Sequence, residues 1–349
     1  MSDLPARMRC VVVRKHGSFD ALEIEERPVP RPKAGEALVR VKAASINHLD
    51  TFVRRGIEGV QFPLPIVPGS DAAGVVVATG DGVSSPKAGD EVVLSPGFSC
   101  GRCAACASAR EPLCRFYGIF GEHADGTDAE YAIFPAANLL PKPRSLSFEE
   151  AAAVPLVFLT AWRMLATRAE VRPGETVLVH AAGSGVSTAA IQIARLLGAR
   201  VLVTASSDAK IEKARALGAE AGVDYKTADF LAEVRSLTGK RGVDVVIDHV
   251  GADTFEKSVR SLAQGGRLVT CGGSSGPQVA MDVRPVFFKG LSILGSTMGS
   301  RGELMEVLAH VEAGRLRPVV DSTYPLSEVA AAHRRVAERD VFGKIVLIP

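Results

Sequence analysis

The chain has 349 residues, more than one ordinary hydrophobic core accommodates, so its length predicts two domains. Apolar residues make up 47% of it and charged residues 23%, a balance typical of a folded α/β protein and not of a disordered one. Lysine plus arginine (41) nearly equals aspartate plus glutamate (39), and the basic residues are scattered, which argues against a nucleic-acid or membrane surface. The sequence shows neither a signal-peptide pattern nor a membrane-spanning apolar run, so we expect a cytoplasmic protein.

Residues 1–155 carry the pattern of short strands. Segments such as EALVRVKAASIN and GSDAAGVVVATGDGV are rich in β-branched residues and are bounded by Gly, Pro and Asp. Helical patterns are scarce before SFEEAAAVPLVFLTAWRML, so we expect an antiparallel, barrel-like first domain. The tail, residues 298–349, ends in the apolar strand FGKIVLIP and is expected to complete that domain.

Residues 156–297 alternate strand and helix. TVLVHAA is followed by the helical pattern STAAIQIARLLG, and RVLVTAS is followed by DAKIEKARALG. Strands joined by crossover helices pair in parallel through right-handed connections. The alternation therefore predicts an α/β domain with a doubly wound parallel sheet of the Rossmann type.

The turn after the first strand of this region reads HAAGSGVS. Small residues where a strand meets a helix let the backbone approach a pyrophosphate, and the helix N-terminus offers it free amides. Gly183, Ser184, Gly185 and Val186 are therefore predicted to bind a dinucleotide cofactor. The alternative is a tight turn that binds nothing.

The second strand of this region ends without a carboxylate. NAD-binding sites usually place an acidic residue there for the ribose hydroxyls, whereas Asp208 comes late and is expected to cap the next helix. Ser206 and Lys210 could instead donate to a 2′-phosphate, with Tyr225 and Lys226 as further partners. We therefore predict NADPH as the cofactor over NADH. The alternative for Lys210 is a solvated helix lysine.

Four of the six cysteines, Cys100, Cys103, Cys106 and Cys114, lie in one short loop. In a reducing compartment, clustered cysteines indicate a metal more often than disulfides. Four thiolates complete the tetrahedral shell of zinc, at roughly 2.3 Å per bond, and leave no position for water or substrate. We therefore predict a structural zinc site, with a disulfide or redox pair as the alternative.

With this cysteine spacing and this Rossmann segment, the whole chain resembles the zinc-containing medium-chain dehydrogenase/reductase superfamily. The resemblance implies a chaperonin-10-like, β-rich catalytic domain over residues 1–155 and 298–349 and a Rossmann coenzyme domain over residues 156–297. It also implies one structural zinc per subunit, a small-molecule substrate bound in a cleft between the domains, and a homodimer or homotetramer. LSILGSTMG is the strand expected to pair the subunits.

The sequence departs from the alcohol dehydrogenases of this superfamily at the ligands of their catalytic zinc. The three ligand positions correspond to Asn47, to Ser70 followed by Asp71, and to the neighbourhood of Leu156. The segments NHLDTFVRRG and PLVFLTAW instead resemble the zinc-independent quinone oxidoreductase branch, which normally lacks the four-cysteine lobe. In the dinucleotide turn Ser187 replaces the usual third glycine, a change that we expect to be tolerated.

The resemblance to the quinone oxidoreductase branch implies hydride transfer from NADPH to a quinone, enone or enal without a catalytic metal. Asn47 is predicted to donate a hydrogen bond to the substrate oxygen or to a cofactor hydroxyl, and His48 and Asp50 are predicted to relay a proton. Each of these residues has an ordinary role in a loop or turn as its alternative.

Two other functions stay open at this point. One is an alcohol dehydrogenase whose catalytic metal has substitute ligands, drawn from His48, Asp50, Asp71 and His123. The other is a non-enzymatic NADPH-binding protein, because a fold alone does not establish an activity.

Overall fold

A computed structural model describes residues 4–349, which divide into two compact units. The β-rich unit contains the chain up to Leu156 together with Gly299–Pro349, and the Rossmann unit contains Val157–Met298. Among the described residues, no helix has both the length and the apolar character that crossing a membrane requires.

Within the described residues the β-rich unit has eleven strands, seven of which form one sheet, while β1 pairs with β2 and β6 with β7. Its strands are β1 (Arg7–Val12), β2 (Glu23–Pro28), β3 (Glu36–Ser45), β4 (Asp71–Thr79), β5 (Glu91–Leu94), β6 (Gly97–Phe98), β7 (Gly118–Ile119), β8 (Tyr131–Pro135), β9 (Leu139–Pro141), β16 (Val320–Pro325) and β17 (Lys344–Ile348). The sheet order is β16-β17-β3-β4-β5-β9, with β8 also paired to β3. All of these neighbours are antiparallel except β16 and β17. The tail of the chain thus enters the sheet formed by its beginning.

Helices of the β-rich unit lie between and after these strands. They are α1 (His48–Arg55), α2 (Ala104–Ala107), α3 (Phe148–Ala152), α10 (Arg301–Glu312) and α11 (Val329–Ala337). Helix α1 is an addition to the sequence prediction: it begins directly after β3, and Asp50 in its first turn accepts the N–H of its N-cap residue Asn47.

The single helix predicted over SFEEAAAVPLVFLTAWRML is two helices in the structure. Helix α3 ends at Ala152, and α4 (Pro155–Trp162) begins at a proline, which has no N–H to continue the preceding helix. A π-helical segment, Arg163–Arg168, follows α4 directly.

The Rossmann unit confirms the predicted parallel sheet. Its strands are β10 (Thr176–Val179), β11 (Arg200–Ala205), β12 (Ala221–Asp224), β13 (Val243–Asp248), β14 (Leu262–Thr270) and β15 (Ser292–Gly295). The connecting helices are α5 (Gly185–Leu196), α6 (Asp208–Ala216), α7 (Phe230–Leu237), α8 (Phe255–Ser261) and α9 (Arg284–Phe288). The order β12-β11-β10-β13-β14-β15 reverses direction at β10, which places the carboxyl ends of β10 and β13 side by side. Ligands of such sheets bind at this switch point.

Candidate functional site

The four cysteines of the predicted zinc site come together. Helix α2 brings Cys103 and Cys106 to 3.5 Å between their sulfurs, Cys114 lies 3.5 Å from Cys100, and Cys100 lies 3.9 Å from Cys106. Zinc–sulfur bonds of roughly 2.3 Å in a tetrahedron place the sulfurs about 3.8 Å apart, so the cluster fits zinc. All four thiols are free, and the sulfurs are too far apart for a disulfide.

The pKa shifts within the cysteine cluster differ in direction. Backbone N–H groups of Arg102 and Cys103 lower the pKa of Cys100 to about 6, and the hydroxyl of Ser99 lowers the pKa of Cys106, whereas the neighbouring thiols raise the pKa of Cys103 to about 11. Among residues 4–349, this is the only group of three or more His, Cys, Asp or Glu residues placed to hold a metal ion. Four sulfur ligands complete the coordination shell, so the metal would support the loop and would not bind substrate.

Asn47 lies in a buried polar cluster between β3 and α1. Its Nδ2 donates to Asp71 Oδ2 at 2.9 Å and to the Ser45 carbonyl at 3.3 Å, while Lys344 Nζ donates to its Oδ1 at 2.5 Å. Lysine only donates and carboxylate only accepts, so these partners fix the orientation of the amide. Both amide hydrogens are therefore engaged, and Asn47 has none left for the substrate oxygen or cofactor hydroxyl that the sequence suggested.

Lys344 was missed by the sequence reasoning. Its side chain is almost completely buried, and its ammonium donates to the Ile46 carbonyl at 2.8 Å, to Asn47, and to Asp71 Oδ2 at 3.3 Å. Burial lowers the pKa of Lys344, and the carboxylates of Asp71 and Asp50 oppose that shift. A charged residue inside the apolar strand FGKIVLIP was the signal that could have identified it.

The positions corresponding to catalytic-zinc ligands hold other chemistry. Ser70 donates its hydroxyl to the Phe120 carbonyl at 2.8 Å, and Leu156 offers an aliphatic side chain. The Leu156 N–H donates to Asp71 Oδ1 at 2.8 Å, which closes the cluster around this carboxylate. No thiolate or imidazole stands at these positions.

Within residues 4–349, the four substitute ligands considered for a catalytic metal do not come together as a metal site. Asp71 pairs with Lys344, Asp50 Oδ2 accepts the Asn47 N–H at 2.7 Å, and the exposed His48 packs edge-on against a phenylalanine ring. His123 Nδ1 accepts the Ile119 N–H at 3.3 Å. Burial raises the pKa of Asp50 to about 7, and its proton-relay role stays a prediction.

The predicted dinucleotide turn joins β10 to α5. Ser184 is the N-cap of α5, and its hydroxyl accepts the Ser187 N–H at 3.1 Å. Gly183 precedes this cap, and Gly185 and Val186 form the first turn of the helix, where free amides face a phosphate in such folds. The arrangement fits a pyrophosphate.

Ser187, at the third-glycine position, ties the helix to the strand. Its side chain is fully buried, and its hydroxyl donates to the His180 carbonyl at 2.6 Å. With that hydrogen committed, Ser187 Oγ accepts from His249 Nε2 at 2.9 Å, which also lies 3.2 Å from Ser184 Oγ. His249 is a second residue that the sequence reasoning missed, although it directly follows the strand β13.

The predicted 2′-phosphate residues follow two paired strands. Ala205, the last residue of β11, pairs with Asp224 of β12, so Ser206 and Tyr225 follow at the same edge of the sheet. Lys210 lies in the first turn of α6, where its N–H donates to the Ser207 hydroxyl at 3.4 Å. Ser207, and not Asp208, is therefore the N-cap of α6. The expectation for Asp208 was wrong by one residue because serine and aspartate both cap well.

Comparisons with known proteins agree with this architecture. Residues 33–144 match the family described as alcohol dehydrogenase GroES-like domain, and residues 185–313 match the family described as zinc-binding dehydrogenase. The chain is 31% identical to a quinone oxidoreductase of Homo sapiens, over 98% of both chains. It is 31% identical to an acryloyl-coenzyme A reductase of Metallosphaera sedula, over 97% of this chain and 99% of that one.

One solved structure is more similar. A crystal structure described as NAD-dependent alcohol dehydrogenase is 52% identical, covers 98% of this chain and 100% of its own, and superimposes with a TM-score of 0.95. At this identity the two chains share their fold in full.

Proposed function

This chain belongs to the zinc-type medium-chain dehydrogenase/reductase superfamily and is an NAD(P)H-dependent oxidoreductase, and we propose that it reduces quinones or activated double bonds with NADPH and without a catalytic metal. In the proposed reaction a hydride and a proton add across the double bond of an enone or enal, or convert a quinone to a hydroquinone. Two relatives named for such chemistry, a quinone oxidoreductase and an acryloyl-coenzyme A reductase, support this substrate class.

The observation that carries the metal-free proposal is the set of side chains at the ligand positions. Asn47 has all its polar atoms engaged, Ser70 donates its hydroxyl to a carbonyl, and Leu156 has no donor atom. A divalent cation at this point would also meet the ammonium of Lys344, which lies 2.5 Å from Asn47 Oδ1. The three positions thus lack the soft and imidazole ligands that zinc prefers.

In this proposal each unit has its own task. The dinucleotide turn binds the pyrophosphate, and Ser206, Lys210 and Tyr225 bind the 2′-phosphate. NADPH supplies the hydride when it is bound. The Asn47 cluster holds the first turn of α1 in one conformation, and His48 at the start of that helix is exposed.

The activity is tested together with the zinc content. Elemental mass spectrometry on unchelated protein should find one zinc per chain, and NADPH oxidation should depend on an added quinone or enone. A Cys103→Ser, Cys106→Ser variant is the matched control, because any zinc that it retains lies outside the cysteine cluster. No substrate-dependent oxidation with any quinone or enone would overturn the proposal.

A second candidate is alcohol dehydrogenase, favoured by the 52% identical structure described as NAD-dependent alcohol dehydrogenase. This candidate predicts a second zinc per chain, which the Cys103→Ser, Cys106→Ser variant should retain. It also predicts that the protein oxidises an alcohol with NAD. One zinc together with no alcohol oxidation would exclude this candidate.

The cofactor choice is tested on Lys210. Lys210→Ala should raise the Michaelis constant for NADPH about tenfold or more, since a charge-assisted hydrogen bond contributes about 1.5–3 kcal/mol, and should leave that for NADH nearly unchanged. Lys213→Ala, on the same helix and exposed, is the control. Equal Michaelis constants in Lys210→Ala and the parent enzyme would remove Lys210 from the site.

A further inference from the structure

Two buried carboxyl groups of the β-rich unit lack partners for their oxygens. Asp50 has no exposed surface and Asp128 is 1% exposed. Within the described part of the chain, Asp50 Oδ1 and both carboxyl oxygens of Asp128 have no hydrogen-bond partner. Orphaned oxygens of this kind cost free energy, so the arrangement calls for an explanation.

Both carboxyl groups lie near Gly69. Burial raises the pKa of Asp50 and the nearby backbone N–H of Gly69 opposes that shift, while a Cβ built on Gly69 would lie 2.3 Å from Asp128 Oδ1. The charged groups around the pair are Lys344 and Asp71, and these two engage each other. Neither offers a proton to the orphaned oxygens.

A single proton between the two groups removes the difficulty. Two ionised carboxylates would repel each other in a buried site, whereas a protonated Asp128 can donate its O–H to Asp50 Oδ1. The Asp50 carboxylate then accepts from Asn47 N–H through Oδ2 and from Asp128 O–H through Oδ1. We propose that Asp50 and Asp128 form a carboxyl–carboxylate pair that holds one proton and thereby positions Asn47 at the start of α1.

The electrostatic surroundings agree with this pair. Burial raises the pKa of Asp50 to about 7 and, with the Asp50 charge, raises the pKa of Asp128 well above its ordinary value. Asp128 is then a positioning residue, since it acts through Asp50 on the first turn of α1, which begins with His48. The positioning role of Asp128 rests on the proposed function, whereas the shared proton does not depend on it.

Infrared spectroscopy tests the shared proton directly, without any activity. At pH 7 the carbonyl stretch of one protonated carboxylic acid per chain should be present in the parent protein and lost in Asp128→Asn. The exposed Asp81→Asn variant is the control and should keep the band. A difference spectrum without this loss overturns the inference.

A second variant keeps the test valid where Asp128→Asn does not fold. Asp50→Asn replaces the acceptor of the proposed hydrogen bond by an amide oxygen, so the carbonyl stretch of Asp128 should shift in frequency. An unchanged frequency in Asp50→Asn overturns the pairing.

Activity then tests the positioning role. Asp128→Ala should lower kcat about tenfold with less than about a threefold change in NADPH affinity measured by fluorescence, because the loss lies in orientation. Asp128→Asn, whose amide can still donate to Asp50, should recover most of that kcat. Equal losses in both variants overturn the positioning role. A parent enzyme without reductase activity contradicts the proposed function and leaves the infrared result standing.

Discussion

At the scale of single residues, the Asn47 cluster depends on one buried ammonium. Lys344 has an acceptor for each of its hydrogens, in the Ile46 carbonyl, Asn47 and Asp71. A buried lysine is tolerated only when its charge is paired and its hydrogens are satisfied. Lys344 therefore stabilises the whole cluster: it neutralises the buried charge of Asp71 and donates a hydrogen bond to Asn47.

Replacing Lys344 by methionine should destabilise the protein by about 3–5 kcal/mol, because Asp71 is left as an unpaired buried charge. Urea unfolding at pH 7 measures the change in the free energy of unfolding. The exposed Lys87→Met is the control and should stay within about 0.5 kcal/mol of the parent protein. Lys344→Met combined with Asp71→Asn should recover part of the loss. A single variant as stable as the parent would mean that the ion pair contributes nothing.

Residue roles differ in how far they could be predicted from the sequence. The four cysteines lie at most 14 positions apart, so their spacing alone indicated a common ligand set. Lys344 reaches Asn47 across 297 positions, and Asp128 lies against Gly69 of a distant segment. Only the fold brings such residues together. The sequence does not show that Ser45 and Asp71 accept both amide hydrogens of Asn47, so it predicted a hydrogen bond to the substrate or cofactor instead.

At the scale of elements, the strand and helix alternation of the Rossmann unit was predictable because each strand is a short apolar run. Every residue of β10 and β13 is buried, as strands covered on both faces require. Helix α1 was not predicted, since its eight residues include both arginines of NHLDTFVRRG and only a short apolar face. Pro155, which begins α4, is visible in the sequence, but the apolar pattern on both sides of it predicted one continuous helix.

Helix α11 buries a histidine that has no polar partner. His333 has no exposed surface, and neither ring nitrogen has a hydrogen-bond partner within residues 4–349. Burial, and secondarily the positive charge of Arg54, lowers the pKa of His333 to about 3. The neutral ring is thus favoured in the folded state, while the unfolded chain binds a proton near pH 6.5.

His333 should make the protein sensitive to acid. The unfolded state binds more protons, so stability is complete above about pH 6.5 and falls as the pH is lowered toward 3. At pH 5 the loss amounts to about 2 kcal/mol. His333→Leu should remove it, which thermal unfolding at pH 8 and pH 5 would detect as a smaller difference in Tm than in the parent protein. His123→Gln, at a half-exposed position, should keep the parent difference. An identical difference in His333→Leu would contradict this account.

At the scale of the whole molecule, the two units contribute different chemistry to one oxidoreductase. The β-rich unit contains the cysteine cluster and the Asn47 cluster, and the Rossmann unit contains the dinucleotide turn. The cysteine cluster lies in a loop whose neighbouring strands, β6 and β7, have two residues each. Such a loop has little regular structure of its own, so a bound metal would be its main support.

The predicted self-association has a candidate surface on the Rossmann unit. Strand β15 ends the order of the parallel sheet, and the residues in it or just before it expose four apolar side chains: Val283 (61%), Phe287 (62%), Phe288 (71%) and Ile293 (40%). A strand with an unpaired edge beside exposed aromatic rings can pair with the strands of other chains and aggregate unless another surface covers it. A second copy related by a two-fold axis covers both edges at once and closes the assembly.

We therefore expect sedimentation to give the mass of two chains, or of four where a second interface exists, and Phe288→Glu to halve that mass. The substitution places a charge in the apolar contact, which opposes burial without touching the internal core. Met305→Glu, at a 57% exposed position of α10 in the β-rich unit, is the matched control and should leave the mass unchanged. A parent protein that sediments as a single chain at micromolar concentration would contradict the predicted assembly. A parent dimer that Phe288→Glu leaves intact would instead move the interface away from β15.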